Sequence, residues 1–209
     1  MRTSSTLAVV SARSKHFWHS SSDEEMLTWT RRLRKVAADG AATEHLYGCD
    51  LRPEFFDLGY KLFRDKETLK SKFIAADIFH QSSDLTSLYG NIDIIYAGSF
   101  LHLFDYAKQV EVCKQIVKLL KDKKGSMLMG RQVGNLEAGE KVHETSKRGT
   151  MFRHNEESFR KMWDEVGELT GTKWRVETQL IKFGESYMKE RVDAHGLNMR
   201  LLRFSIFRE

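Results

Sequence analysis

Along the chain, apolar positions switch between helical and extended spacing from Asp23 onward. Met26, Trp29, Leu33 and Val36 fall on one face of a helix that Asp23 caps and Gly40 ends. A short apolar segment, His45 to Cys49, then stops at Asp50. Pro53 suits the first turn of a helix that turns Phe56, Tyr60 and Phe63 inward. Phe73 to Ala76 is the next extended run, and it stops at Asp77. Ile92 to Ala97 is nearly continuous in apolar residues and reads as a strand buried on both faces. Asp105 opens a helix with the stripe Val110, Cys113, Val117 and Leu120, whose negative end carries Lys121, Lys123 and Lys124 before Gly125. Ser126 to Met129 is a further strand. Asn155 caps a helix with Glu156 and Glu157 in its first turn and Phe159, Met162, Trp163 and Val166 on one face. Two long β-rich runs, Lys173 to Phe183 and Leu197 to Phe207, suit an antiparallel pair at a sheet edge.

Strands alternating with helices predict an α/β fold with a mostly parallel sheet and right-handed crossovers. In such sheets the ligand lies beyond the carboxyl ends of the strands. Two predicted strands end in aspartate, Asp50 and Asp77, and a third ends in Ala97, Gly98 and Ser99. A carboxylate at the second strand's end can accept hydrogen bonds from the vicinal hydroxyls of a ribose. An acid one strand along can accept from an exocyclic adenine amine, and small residues on the next let backbone approach the ligand. Each aspartate taken singly has a plainer reading: Asp50 caps the helix near Pro53, and Asp77 begins a turn. Together, on successive strands, they favour a nucleotide.

The segments Leu46-Tyr47-Gly48-Cys49-Asp50-Leu51-Arg52-Pro53-Glu54-Phe55, Phe73-Ile74-Ala75-Ala76-Asp77-Ile78-Phe79, and Ile92 to Phe104 resemble the second, third and fourth motifs of class I S-adenosylmethionine-dependent methyltransferases. Gly130-Arg131-Gln132-Val133-Gly134-Asn135 and Met151 to Ser158 resemble the fungal branch of that family found in secondary-metabolite pathways, including enzymes that methylate meroterpenoid intermediates. The likeness runs from about residue 33 to 207. It implies a Rossmann-like, seven-stranded sheet with an antiparallel last strand, S-adenosyl-L-methionine as cofactor, and a small-molecule acceptor methylated on oxygen. It also implies that Asp50 holds the ribose hydroxyls with Leu51 beside it, that Asp77 and Ile78 hold the adenine, and that Ser99 lies on the cofactor's floor.

The chain departs from that family at its start. Family members open with a strand and an Asp-x-Gly-x-x-x-Gly loop, whose glycines admit the methionine half of the cofactor. By spacing the loop falls near residues 24 to 30, which read Glu24-Glu25-Met26-Leu27-Thr28-Trp29-Thr30; the first glycine of the chain is Gly40. Leu7 to Val10 offers a first strand, but Ser11-Ala12-Arg13-Ser14 after it holds no glycine. The N-terminal part therefore reads as incomplete or atypical, with the adenosine side of the pocket kept and much of the methionine side lost. Residues 1–22 hold seven serines and no acid, a bias like that of a transit peptide, and read as an atypical, flexible segment before a methyltransferase-like domain over 23–209.

Composition narrows the partners. With 34 Lys and Arg against 29 Asp and Glu, the net charge is +5, and cations are mixed with anions throughout, which is no nucleic-acid patch. No apolar run approaches the roughly 20 residues of a membrane helix. Two cysteines, Cys49 and Cys113, suit a reduced, cytoplasmic chain. No metal site is expected, since His45 with Cys49 lacks the ligand count for zinc. A homodimer is left open. His102 and His154 are candidate bases for a hydroxyl acceptor, against a structural reading of each; a carboxylate acceptor needs none. Arg131 and Arg153 can pair with an acidic substrate, against a solvated reading. Tyr96, Phe100 and Phe104 line an apolar acceptor site or belong to the core. Two alternatives remain: a catalytically impaired remnant of the fold acting as a binding protein, and a nicotinamide-dependent oxidoreductase, for which Asp50 suits NAD but a Tyr-x-x-x-Lys pair is lacking.

Overall fold

The computed structural model describes residues 7–10, 28–80, 83–142, 150–183 and 198–209. Asp23 and Met26, the glycine-free stretch from Ser11 to Leu27, and the start of the last β-run at Leu197 lie outside them. Seven strands form one sheet: β1 (Leu7–Val10), β2 (Leu46–Asp50), β3 (Lys72–Ala75), β4 (Ile94–Gly98), β5 (Met127–Asn135), β8 (Trp174–Ile181) and β9 (Met199–Arg208). Their order is β3-β2-β1-β4-β5-β9-β8. Strands β1 to β5 pair in parallel, and β9 runs antiparallel between β5 and β8. The expected antiparallel pair is thus present, with β8 at the edge. Leu7–Val10, inside the serine-rich segment, is an interior strand and pairs with both β2 and β4. A separate hairpin, β6 (Gly139–Val142) with β7 (Thr150–Arg153), was not signalled by its mixed composition.

The helices are α1 (Thr28–Ala38), α2 (Glu54–Phe63), α3 (Ser83–Thr86), α4 (Tyr106–Leu119) and α5 (Glu156–Thr170). Sequence chemistry sets their ends. The Asp105 side chain accepts from the Lys108 amide at 2.9 Å, and Asn155 with Ser158 forms a reciprocal capping box. Gly171 closes α5 in the left-handed conformation at φ 65°. The lysines after α4 do more than neutralise a helix end: Lys121 donates to the buried Asp93 carboxylate at 2.6 Å, and Lys123 pairs with it too.

Two apolar layers flank the sheet. On one face Cys49, Ile95, Ala97, Leu128, Leu202 and Ile206 meet Val112, Cys113 and Ile116 of α4 and Phe159, Met162 and Trp163 of α5. On the other, Leu46 with Leu33 of α1 and Phe55 and Phe56 of α2 form a smaller cluster, against which Phe73 and Tyr96 pack. No helix among the described residues is long and apolar enough to cross a membrane.

Candidate functional site

Strand order reverses where β1 separates β2 from β4, so a crevice opens beyond the carboxyl ends of these strands. Backbone register fixes what lines it. Val10 is level with Cys49 on one side and Ala97 on the other, so Asp50 and Gly98 stand at one height flanking the chain beyond Val10. They are two strand spacings apart, about 10 Å. Ala75 is level with Asp50, and the Ala76 amide donates to the Asp50 carbonyl at 3.1 Å. Asp77 therefore lies at the edge adjacent to Asp50.

Asp50 is fully buried, and its Oδ1 accepts the Arg52 amide at 2.9 Å, a local turn rather than a cap on the first helical amides of α2. Asp77 also nucleates a turn: Oδ1 accepts from the Phe79 amide at 3.0 Å, and Oδ2 faces His80 Nδ1 at 3.1 Å. The plainer reading thus holds for Asp77, which begins a turn, and not for Asp50, whose turn does not cap the helix that follows Pro53. Ile78 is buried beside Asp77, whereas Leu51 is 41% exposed at the rim. Ser99 is exposed and adopts φ 55°, in the left-handed region, while its amide donates to the Arg131 carbonyl at 2.7 Å.

The other candidates separate. Phe100 is core, packed edge-to-face on Phe104, which packs likewise on Phe79; Tyr96 lies on the opposite face of the sheet. His102 sits in the short 3-10 turn Leu101–Leu103 past β4. His154 is fully buried, its Nδ1 2.9 Å from Ser158 Oγ and its ring against Phe152 and Phe159. Burial pushes its pKa down to about 4, partly offset by its hydrogen bond to Ser158, so the ring is neutral near pH 7. Arg153 is 4% exposed, which removes the solvated reading, and Arg131 is half-buried. Two positions escaped the sequence reading. Gln132 is 1% exposed, and neither atom of its amide has a partner among the described residues. Arg32 of α1 lies over the Tyr96 ring, 4.8 Å from its centroid. A clue was available for Gln132, a polar residue between two glycines in a β-rich run; none pointed to Arg32.

A hollow of about 310 Å³ lies instead at the amino end of β2, lined by Arg34, Thr43, Phe63 and Asp65. There the Arg34 guanidinium is already held by both Asp65 oxygens, at 2.6 and 2.9 Å. No group of three or more metal-ligating side chains gathers among the described residues.

No family model matches the chain. It is 45% identical over 161 residues to an O-methyltransferase, phiE, of Fungal sp., covering 77% of this chain and 53% of that protein. It is 43% identical over 180 residues to an O-methyltransferase, atr3, of Stereocaulon alpinum, covering 84% of this chain and 50% of that one. An asnovolin E/chermesin D methyltransferase of Aspergillus novofumigatus is 40% identical over 151 residues, 70% of this chain and 53% of its own length. The chain spans about half the length of the curated relatives it matches. Among solved structures, the [4+2]-cyclase SpnF superposes with TM-score 0.66 at 12% identity over 97% of this chain and 74% of its own. A phosphoethanolamine N-methyltransferase of Haemonchus contortus, in complex with S-adenosyl-L-methionine, gives 0.61 at 11% identity over 99% and 49%. At such identities these two likenesses establish the fold.

Proposed function

We propose that the chain, which belongs to the fungal secondary-metabolite branch of class I S-adenosylmethionine-dependent methyltransferases, is the cofactor-binding part of an enzyme that methylates an oxygen of a small-molecule acceptor. The observation that carries this is the adjacency of Asp50 and Asp77 at the carboxyl ends of neighbouring strands beside the crevice. The donor set suits a nucleoside. A buried carboxylate with one oxygen tied to a local amide accepts from ribose hydroxyls without further ordering. Asp77 accepts from the adenine amine, Ile78 and the rim residue Leu51 supply apolar contact, and the Ser99 turn brings backbone to the floor.

When bound, S-adenosylmethionine supplies a sulfonium methyl open to in-line displacement. The chain's own part is to bind the cofactor and align an acceptor, which is where much of the rate of such a transfer comes from. Buried against Ser158 and lowered in basicity, His154 is a weak base, which favours an acceptor already ionised at pH 7. The partner is a small molecule in the cytoplasm, with no role for nucleic acid or membrane, and the homodimer stays open. A second reading, a remnant that binds without turnover, draws on the glycine-free stretch from Ser11 to Asp39. Calorimetric titration with S-adenosylhomocysteine separates the outcomes: micromolar-range binding is expected, and neither heat nor a thermal shift would remove the cofactor reading.

A further inference from the structure

The row of residues level with Asp50 continues across the sheet. Gly98 of β4 is level with Arg131 of β5, and Arg131 with Arg203 of β9. All lie on the face that carries Tyr96, because their sequence neighbours Cys49, Ala97 and Leu202 belong to the opposite core. Asp50 and Arg131 are three strand spacings apart, about 14 Å. Two arginines directly opposite each other on paired strands repel.

A third guanidinium joins them from above, since Arg32 reaches down from α1 onto the Tyr96 ring. Burial is the main cause that lowers its pKa; Tyr96 opposes this, and the charge of Arg131 adds to it, which marks the two arginines as neighbours. The Tyr96 ring lies along the strand over Gly98, so close that a Cβ there would stand 2.6 Å from the hydroxyl. That hydroxyl is buried and has no hydrogen-bond partner among the described residues. Among the described residues none of Arg32, Arg131 and Arg203 forms an ion pair with a carboxylate. Among the described residues no carboxylate meets the neighbouring Arg32 and Arg131 or the Tyr96 hydroxyl beside them.

We infer that Arg32 and Arg131, with the Tyr96 hydroxyl between them and Arg203 at the rim, form a binding site for a carboxylate. The planar guanidinium fork matches a carboxylate in two parallel hydrogen bonds, and the phenol adds a third donor. Two carboxylates meet that description: the amino-acid end of the cofactor, whose ribose lies at the Asp50 end of the same row, and an acid group on the acceptor. In a chain with no glycine from Ser11 to Asp39, the first would give the methionine half an electrostatic hold. The inference rests on the nucleoside reading of Asp50 and Asp77.

Titrations of S-adenosylhomocysteine and of 5′-methylthioadenosine, which lacks the amino acid, into the wild type, Arg131→Gln, Arg32→Gln and Tyr96→Phe decide it. If the site holds the cofactor's carboxylate, each arginine variant weakens S-adenosylhomocysteine by about tenfold, Tyr96→Phe by less, and methylthioadenosine binds all four proteins alike. If it holds the acceptor's, both nucleosides bind unchanged; benzoate, followed by NMR with S-adenosylhomocysteine saturating, then perturbs the wild type more than methyl benzoate does, and Arg131→Gln erases that preference. Unchanged nucleoside binding and an unchanged benzoate preference in folded variants would overturn the site. Should methylthioadenosine fail to bind the wild type, the nucleoside reading falls by itself and the benzoate comparison alone judges the arginines.

Discussion

The two halves of the sheet's carboxyl edge carry opposite charge and are built in opposite ways. At β2 and β3, Asp50 is fully buried and both aspartates are fixed by turns of their own, with Ile78 packed beneath. At β4, β5 and β9 the row holds Gly98, Arg131 and Arg203, open enough that Met129 on the same face is 38% exposed. The acidic half is finished by its own backbone. Its basic counterpart holds like charges that meet no carboxylate among the described residues, the arrangement from which the anion site is inferred.

The largest expected effect breaks the acidic half. Asp50→Ala removes the acceptor of two ribose hydroxyls and weakens S-adenosylhomocysteine by about 100-fold in a calorimetric titration, with methylthioadenosine weakened equally. Equal binding by the variant would take the ribose away from Asp50.

Gly98→Ala strikes the basic half alone. Its Cβ meets the Tyr96 ring and pushes it from beneath Arg32, at a cost of about 1–3 kcal/mol of unfolding free energy in denaturant titrations. If the basic row holds the cofactor's carboxylate, S-adenosylhomocysteine then weakens while methylthioadenosine does not. Equal losses for both ligands would mean that the two halves are not separable.

A smaller effect sets both halves against the polar group on the opposite face. His154 titrates near 4 when folded and close to its ordinary value when unfolded, so the unfolded chain takes up the proton first. Stability from the neutral, buried ring is complete above about pH 6.5 and falls as the pH drops toward 4. His154→Gln flattens that stretch of the stability profile, and a slope equal to the wild type's would assign it to other groups.

The smallest effect concerns thiols. Burial, with Asp50 adding to it, pushes Cys49 up to about 12, and burial raises Cys113 as well. Ellman's reagent is expected to find no rapidly reacting thiol in the native protein and both after denaturation. Fast modification of Cys49 would show the acidic half to be looser than its packing.

How much of this was legible in the sequence follows from which interactions are local. Asp105 and Asn155 announced their helices because caps act over three residues, and Asp50 and Asp77 because a residue that ends or closely follows a strand lies at its edge whatever packs around it. Strand β5 was read only to Met129, because Gly130, Arg131 and Gly134 interrupt the apolar run; in the sheet those glycines permit close approach, a Cβ at Gly130 lying 2.0 Å from the Ala97 carbonyl. Tyr96, Phe100 and Phe104 looked like one aromatic lining, yet the sheet divides them. Arg32 was silent, since it reaches the site only through the packing of α1 on β4, about which helical spacing says nothing. Lys121 and Lys123 were read as a helix end because their buried partner, Asp93, is 28 residues from the first of them.

A crystal structure with S-adenosylhomocysteine tests the central claim most directly. Density for both ribose hydroxyls on the Asp50 carboxylate, with the adenine between Asp77 and Ile78, is the predicted result. Nucleoside density elsewhere, with the crevice beyond β1, β2 and β4 filled by side chains alone, would contradict it.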